Sequence, residues 1–197
     1  YGRKRRTVIE NREEAVFEEK KMEEMEVCFL MDRFGYMKLI DKNAYERNKE
    51  AIHNESRYVF DCMNTDKICI FTDNGKMHTI KAADIPLVRF RDKGVPADNL
   101  SNYDSAQERM LYVAPIGQIR SDRLLFVTKT SMCKLVEGAE FDVSKRTIAS
   151  TKLAEEDELI FIGSTLEMEQ IVMQSHGGCF LRFLTQEIST MKKTALG

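Results

Sequence analysis

An apolar strand, a short polar turn and a second apolar strand recur four times along this chain. The copies are Val27-Cys28-Phe29-Leu30-Met31 with Tyr36–Leu39, Ile68–Thr72 with Lys76–Ile80, Leu124–Thr128 with Met132–Leu135, and Gln170–Met173 with Gly178–Phe183. The intervening turns read Asp32-Arg33-Phe34-Gly35, Asp73-Asn74-Gly75, Lys129-Thr130-Ser131 and Gln174-Ser175-His176-Gly177. Gly35, Gly75 and Gly177 share one place in the pattern, where a tight hairpin often requires positive φ. Ser131 departs from it, which predicts a different turn in the third hairpin. These four positions lie 40, 56 and 46 residues apart. Such a period signals an array of supersecondary units rather than one long meander.

A further strand-like stretch precedes three of the hairpins, at Arg57–Cys62, Arg109–Val113 and Glu158–Ile162. The segments that join the units are polar and basic: Arg89-Phe90-Arg91-Asp92-Lys93-Gly94, Ser144-Lys145-Arg146-Thr147 and Met191-Lys192-Lys193-Thr194. Each unit therefore holds about four strands in ~45 residues, the size of a propeller blade. One such sheet cannot bury both faces by itself, so neighbouring units must stack. The expected fold is all-β, with repeats at about 27–56, 57–107, 108–156 and 157–197, three complete and a fourth in part. Residues 1–26 read as an acidic linker or short helix. Asn11 and Glu14 resemble a capping box there, and Arg3-Lys4-Arg5-Arg6 reads as a solvated basic tail.

Composition removes several alternatives. Hydrophobic residues make up 43% and charged residues 31% of the 197 residues, which excludes a collagen-like or wholly disordered chain. No apolar run approaches the ~20 residues of a membrane helix, and the charged opening does not read as a signal peptide. Acidic residues number 32 against 30 basic ones, so a nucleic-acid partner would need a local basic surface. Cys28, Cys62, Cys69, Cys133 and Cys179 show no C-x-x-C spacing. They read as small buried hydrophobes of a reducing, cytoplasmic environment. His53, His78 and His176 stand singly, so no metal site is expected.

In its order of motifs the chain resembles the C-terminal DNA-wrapping domain of the A-subunit of bacterial type II topoisomerases, gyrase and topoisomerase IV. Arg5-Arg6-Thr7 resembles the end of the family's breakage-reunion region. Gly35-Tyr36-Met37-Lys38 followed by Tyr45-Glu46 is similar to the first repeat. Phe71-Thr72-Asp73-Asn74-Gly75-Lys76, Ile85-Pro86, Lys93-Gly94 and Asn99-Leu100 are similar to the second. The resemblance implies a β-pinwheel, a propeller-like array in which strands cross between blades, with a basic rim that bends duplex DNA. It places the catalytic tyrosine, the ATP site and the Mg2+ elsewhere in the parent complex, so this part of the chain carries no chemistry and no cofactor. Besides double-stranded DNA, the implied partners are the ATPase-bearing B-subunit of that complex with a second copy of the A-subunit. Gyrase has a Gly-rich basic box after its first repeat. Arg47-Asn48-Lys49-Glu50-Ala51-Ile52-His53-Asn54-Glu55-Ser56 has no glycine and two glutamates. This departure favours a topoisomerase IV-type protein or a divergent gyrase.

Bending DNA requires cations along a curved surface, because each neutralised phosphate releases counterions. The candidate contacts are Lys38, Lys42, Arg47, Lys49, Lys76, Arg89, Arg91, Lys93, Lys129, Lys145, Arg146, Lys192 and Lys193, with Arg33, Lys81 and Lys134 beside them. The clusters Arg89/Arg91/Lys93 and Lys145/Arg146 recur at matching places and are the preferred sites. No base-reading helix or aromatic platform stands out, so recognition is expected to be directed at the backbone. Tyr36, Phe71, Phe126 and Phe180 are expected in the blade core. No P-loop, nucleophile elbow or H-E-x-x-H motif is present. A propeller that binds protein instead of DNA is the alternative, and the near-neutral charge favours it.

Overall fold

A computed structural model describes residues 23–166 and 168–196. The tail cluster Arg3–Arg6, the Asn11/Glu14 cap and Arg5-Arg6-Thr7 lie outside the described residues. In chain order the strands are β1 (Glu26–Asp32), β2 (Tyr36–Asp41), β3 (Ser56–Met63), β4 (Lys67–Thr72), β5 (Lys76–Lys81), β6 (Val95–Pro96), β7 (Met110–Pro115), β8 (Arg123–Thr128), β9 (Cys133–Glu137), β10 (Thr147–Ala149), β11 (Leu159–Ser164), β12 (Gln170–Gln174) and β13 (Phe180–Leu184). The four sequence hairpins are β1–β2, β4–β5, β8–β9 and β12–β13.

The sheets do not follow the repeats. Their strand orders are β3-β1-β2-β6, β10-β5-β4-β7, β11-β8-β9 and β12-β13. The strand that leads into the next hairpin, β3, β7 or β11, pairs with the first strand of the hairpin before it. The segment after the next hairpin then returns to pair with its second strand: β6 on β2, β10 on β5, and a parallel bridge from Thr190 to Leu135 of β9. Each of these sheets thus draws its strands from two adjacent repeats. The stretches Arg57–Cys62, Arg109–Val113 and Glu158–Ile162, which lead into the next hairpin in sequence, complete the preceding sheet. This is the strand exchange that a β-pinwheel requires.

The apolar strands are continuous rather than alternating because both of their faces are buried. In β4, Ile68 and Ile70 join a core shared with Val27, Phe29 and Met31, while Cys69 and Phe71 join one shared with Leu124 and Phe126. In β8, Leu125 and Val127 face a third core with Ile171 and Met173 of β12. Side chains of period two therefore tie each sheet to both neighbours. About a dozen buried hydrophobes per shared core, at ~1.5–3 kcal/mol each, make stacking the main stabilising term.

The other face of the first sheet is covered by a helix that the strand pattern does not predict. Helix α1 (Lys42–Glu55) starts at Asp41, whose side chain accepts from the Asn43 N–H, and it kinks at Asn48. Ile52 and Tyr45 from α1 pack with Cys28, Leu30 and Ile40. The segment Arg47–Ser56 thus caps the stack and covers an apolar face, as the end units of repeat arrays must.

Three local expectations are corrected. All four turns have the same geometry, with the fourth residue's N–H bonded to the first residue's carbonyl: Gly35 to Asp32, Gly75 to Thr72, Ser131 to Thr128 and Gly178 to Ser175. The positive φ of the fourth hairpin falls on Gly178, not Gly177, and Ser131 adopts it too at φ 68°. The fourth turn is the four residues Ser175–Gly178, one place later than the sequence pattern sets it. Cys133 is half-buried and Cys179 exposed, while the other three cysteines are buried. Of the four aromatics expected in the core, Phe71 and Phe126 are there, Tyr36 is half-buried and Phe180 is exposed.

Candidate nucleic-acid interface

The three joining segments occupy equivalent places. Each runs beside the second strand of the hairpin one unit back. Val95 pairs with Met37, the Thr79 N–H donates to the Arg146 carbonyl, and the Leu135 N–H donates to the Ser189 carbonyl. Successive loops therefore lie along one edge of the stacked sheets. That edge carries Arg89, Arg91 and Lys93, then Lys145 and Arg146, then Lys192, all exposed. Among the described residues none of these six side chains forms an ion pair. Lys93 is further ordered by lying 4.4 Å from the centre of the Tyr36 ring.

Close packing holds the first loop on the edge. A Cβ added at Gly94 would lie 2.8 Å from the Met37 carbonyl carbon and closer still to its oxygen. Only glycine lets the backbone approach β2 so closely.

The cations at the turn ends of the hairpins are differently placed. Lys76 pairs with the buried Glu108 at 2.9 Å, Lys129 with Glu158 at 3.3 Å, and Arg109 with Asp73 at 3.5 Å. Lys42 lies 2.7 Å from Glu26 and 3.6 Å from Asp61, contacts that raise its pKa, the Glu26 hydrogen bond most. The first three pairs tie the second and third turns to the segments that lead into β7 and β11, the outer strands of the same sheets. Arg47 and Lys49 are exposed on α1, and Lys49 lies over the Tyr45 ring at 5.7 Å.

Three candidates turn their ammonium groups inward. Lys38 Nζ donates to the carbonyls of Phe90 and Asp92. Lys134 is 1% exposed and donates to the carbonyls of Lys192, Lys193 and Ala195. Lys193 is half-buried, with its ammonium on the Glu140 carbonyl. The expectation of a surface contact at Lys134 is therefore corrected: its register position points it into the sheet–loop junction. The structure thus groups the sequence candidates into a free edge set, a paired turn set and an inward set. Ion pairing across units separates them, and no single-residue pattern shows it.

The sequence reading missed the pair His78–Glu108. His78 is buried on β5 with Nε2 2.8 Å from Glu108 Oε2 and Nδ1 3.1 Å from the Thr147 hydroxyl. Asn102 Nδ2 donates to that same hydroxyl at 3.0 Å. The signal available was positional: His78 stands three residues after Gly75, as Lys38 does after Gly35. The described residues hold no cluster of three or more metal-ligating side chains. No helix among them is long and apolar enough to cross a membrane.

A family described as DNA gyrase C-terminal domain, beta-propeller, matches residues 66–106, 122–165 and 169–197. The chain belongs to this gyrase C-terminal domain family. The match covers the second to fourth hairpins. The DNA gyrase A-subunit of Halalkalibacterium halodurans is 25% identical over all of this chain, and that of Clostridium acetobutylicum 26%. The chain spans 25% of the length of each. In three dimensions it resembles the crystal structure of the C-terminal domain of DNA topoisomerase IV, with TM-score 0.76 at 20% identity over 88% of this chain and 56% of that one. It also resembles the E. coli ParC C-terminal domain, with TM-score 0.65 at 14% identity over 86% and 69%. These likenesses bear out the all-β pinwheel fold of the gyrase C-terminal family.

Proposed function

We propose that the chain is a non-catalytic, DNA-bending domain from the DNA-cleaving component of a bacterial type II topoisomerase. It presents duplex DNA to a strand-passage machinery whose ATP, Mg2+, ATPase chain and second DNA-cleaving chain belong to other parts of the parent assembly. The observation that carries this reading is the edge of cations that form no ion pair among the described residues, repeated loop by loop at equivalent places. A phosphate backbone crossing successive sheets meets a cationic loop at each one. Bending 20–30 base pairs by 40–90° costs on the order of 1–6 kcal/mol, which several such contacts offset. The cations are spread over successive loops rather than gathered on one helix, which suits contacts to phosphates. The helical cap at Arg47–Ser56, with Glu50 and Glu55, supports a topoisomerase IV-like role over a gyrase-like wrap. A cytoplasmic, nucleoid-associated location follows from the proposed substrate.

The test is binding to a fluorescent ~40 base-pair duplex across a salt series. Affinity should fall steeply with salt, at roughly 0.9 in log–log slope per phosphate contacted. Reversing the charges of Arg89, Arg91 and Lys93 should reduce both affinity and slope. Absence of binding at low salt would instead favour a protein-binding propeller.

A further inference from the structure

One inward-turned register position recurs in the fold, and its two lysines form no carboxylate ion pair among the described residues. Lys38 stands opposite Leu30, His78 opposite Ile70 and Lys134 opposite Phe126, so all three occupy the same register position of their hairpins. At two of the three the residue is a lysine whose ammonium reaches into the returning loop. Lys134 Nζ has three loop carbonyls around it, those of Lys192 at 3.4 Å, Lys193 at 3.2 Å and Ala195 at 2.5 Å. An ammonium has three donors, so the set is complete. Lys38 takes the Phe90 carbonyl and that of Asp92 at 2.9 Å, and lies 5.2 Å from the Phe90 ring centre. Burial disfavours the charged form of Lys134 and lowers its pKa, so a lysine here must gain something from the loop it holds.

We propose that Lys38 and Lys134 are latches that hold the first and third basic loops in the shape that binds DNA. This rests on the reading of those loops as the DNA contact. Drawing the carbonyls inward turns the opposite side of each loop, with Arg89, Arg91 and Lys93 or Lys192, toward solvent. Neither latch touches phosphate itself. In the second hairpin His78 is engaged with Glu108 and with the Thr147 side chain of the joining segment, and contacts no loop carbonyl. The Lys145–Arg146 loop therefore carries the same charges with a side-chain contact in place of a carbonyl latch, which makes it the comparison.

The test uses Lys38→Met and Lys134→Met in the full chain, with hydrogen exchange and duplex binding measured on each. The probes are the Asp92 N–H on the Arg89 carbonyl, the Met191 N–H on the Leu135 carbonyl, and the Thr79 N–H on the Arg146 carbonyl. Lys38→Met should lower protection at Asp92 by ~10-fold or more, and Lys134→Met at Met191, with Thr79 and the β4 and β8 amides unchanged. Duplex affinity should fall about tenfold, and the salt slope by more than the ~0.9 that one phosphate accounts for. Lys38 is only half-buried, so its variant remains informative if Lys134→Met fails to fold. Unchanged protection at Asp92 in Lys38→Met overturns the latch. Lost protection with unchanged affinity overturns its role in binding. If the unsubstituted chain binds no duplex, the DNA reading fails by itself, and the latch is decided by exchange alone.

Discussion

His78 Nε2 donates to Glu108 Oε2 across 2.8 Å, joining strand β5 to the connection before β7 inside the protein. Burial alone would raise the Glu108 pKa. Hydrogen bonds from His78, Lys76 and Thr72 outweigh burial and bring it down from 4.5 to about 2. A carboxylate whose pKa is lower in the folded than in the unfolded chain stabilises the fold above its unfolded value. That stabilisation should disappear as pH falls from 4.5 toward 2, by on the order of 3 kcal/mol. Urea unfolding at a series of pH values checks this. Glu108→Gln should be less stable at neutral pH and show a flatter acid limb. An acid limb as steep as that of the unsubstituted protein would assign acid unfolding to other groups.

Ser131 holds the same left-handed backbone as Gly35, Gly75 and Gly178, at φ 68°. A side chain in this conformation costs about 1–2 kcal/mol, and the greater freedom of glycine in the unfolded chain returns roughly half of that. Ser131→Gly should therefore stabilise the protein by about 0.5–1 kcal/mol, read as a higher urea midpoint at unchanged slope. Gly75→Ala should act in the opposite sense. Its Cβ would meet Leu153 Cδ1 at 3.2 Å and Thr151 Cγ2 at 3.3 Å, besides the φ of +74°.

The division between edge and turn cations leads to a contrast in binding. Lys145→Ala with Arg146→Ala should lower the salt slope of duplex binding by up to ~1.8, two phosphates' worth. Lys129→Ala, which removes a cation already paired with Glu158, should leave the slope within error. A fall in slope from Lys129→Ala as large as that from the joining-loop pair would mean that the turn ends face DNA as much as the joining loops do.

The repeat, the hairpins and the basic joining segments are legible in the sequence because each is a local pattern. What is not legible is which sheet a strand joins. Arg57–Cys62 lies next to the second hairpin in sequence, yet β3 pairs with β1, where Tyr58 and Phe60 pack on the first shared core. Helix α1 is hidden because its segment is mostly polar, with the buried Ile52 and half-buried Tyr45 as the apolar anchors that seat it on the first sheet. Among the candidate cations, charge and spacing single out the joining loops as a recurrent basic feature. They do not show that Lys76 meets Glu108 from 32 residues away, or that Lys134 turns inward to carbonyls about 60 residues on. Those facts follow from strand exchange, which is a property of the assembled sheets.

Gly94→Ala tests how the first loop is seated. The added Cβ would lie 2.8 Å from the Met37 carbonyl carbon and 3.1 Å from its nitrogen, both backbone atoms of β2. The loop must move out, breaking the Met37–Val95 pairing. A loss of about 1–3 kcal/mol is expected from such crowding. Exchange should quicken at β6, and duplex affinity should fall although every cation is retained. Unaltered affinity in a folded Gly94→Ala protein would show that the exact seat of this loop does not matter for binding.

Strands β12 and β13 pair with each other and with no other described strand. They expose Val172 at 61%, Phe180 at 69% and Leu181 at 61%. In the first three sheets the hairpin's first strand receives a further antiparallel strand, and the faces are covered by the next unit. Among the described residues no further strand covers either edge, which sets unpaired backbone beside an apolar surface, the combination that templates pairing between chains. The protein should therefore self-associate as its concentration rises. Static light scattering at increasing concentration measures this, and the apparent mass should climb above 22.8 kDa. Val172→Lys with Phe180→Lys should return the mass toward the monomer, because both side chains project from the outer face opposite the β8 core and a charge there disfavours apposition. The same pair of substitutions should leave the unfolding midpoint nearly unchanged, since neither residue is buried. A constant monomer mass for the unsubstituted protein at millimolar concentration would show that its free edges are blocked by their own twist and charge, and the prediction would fail.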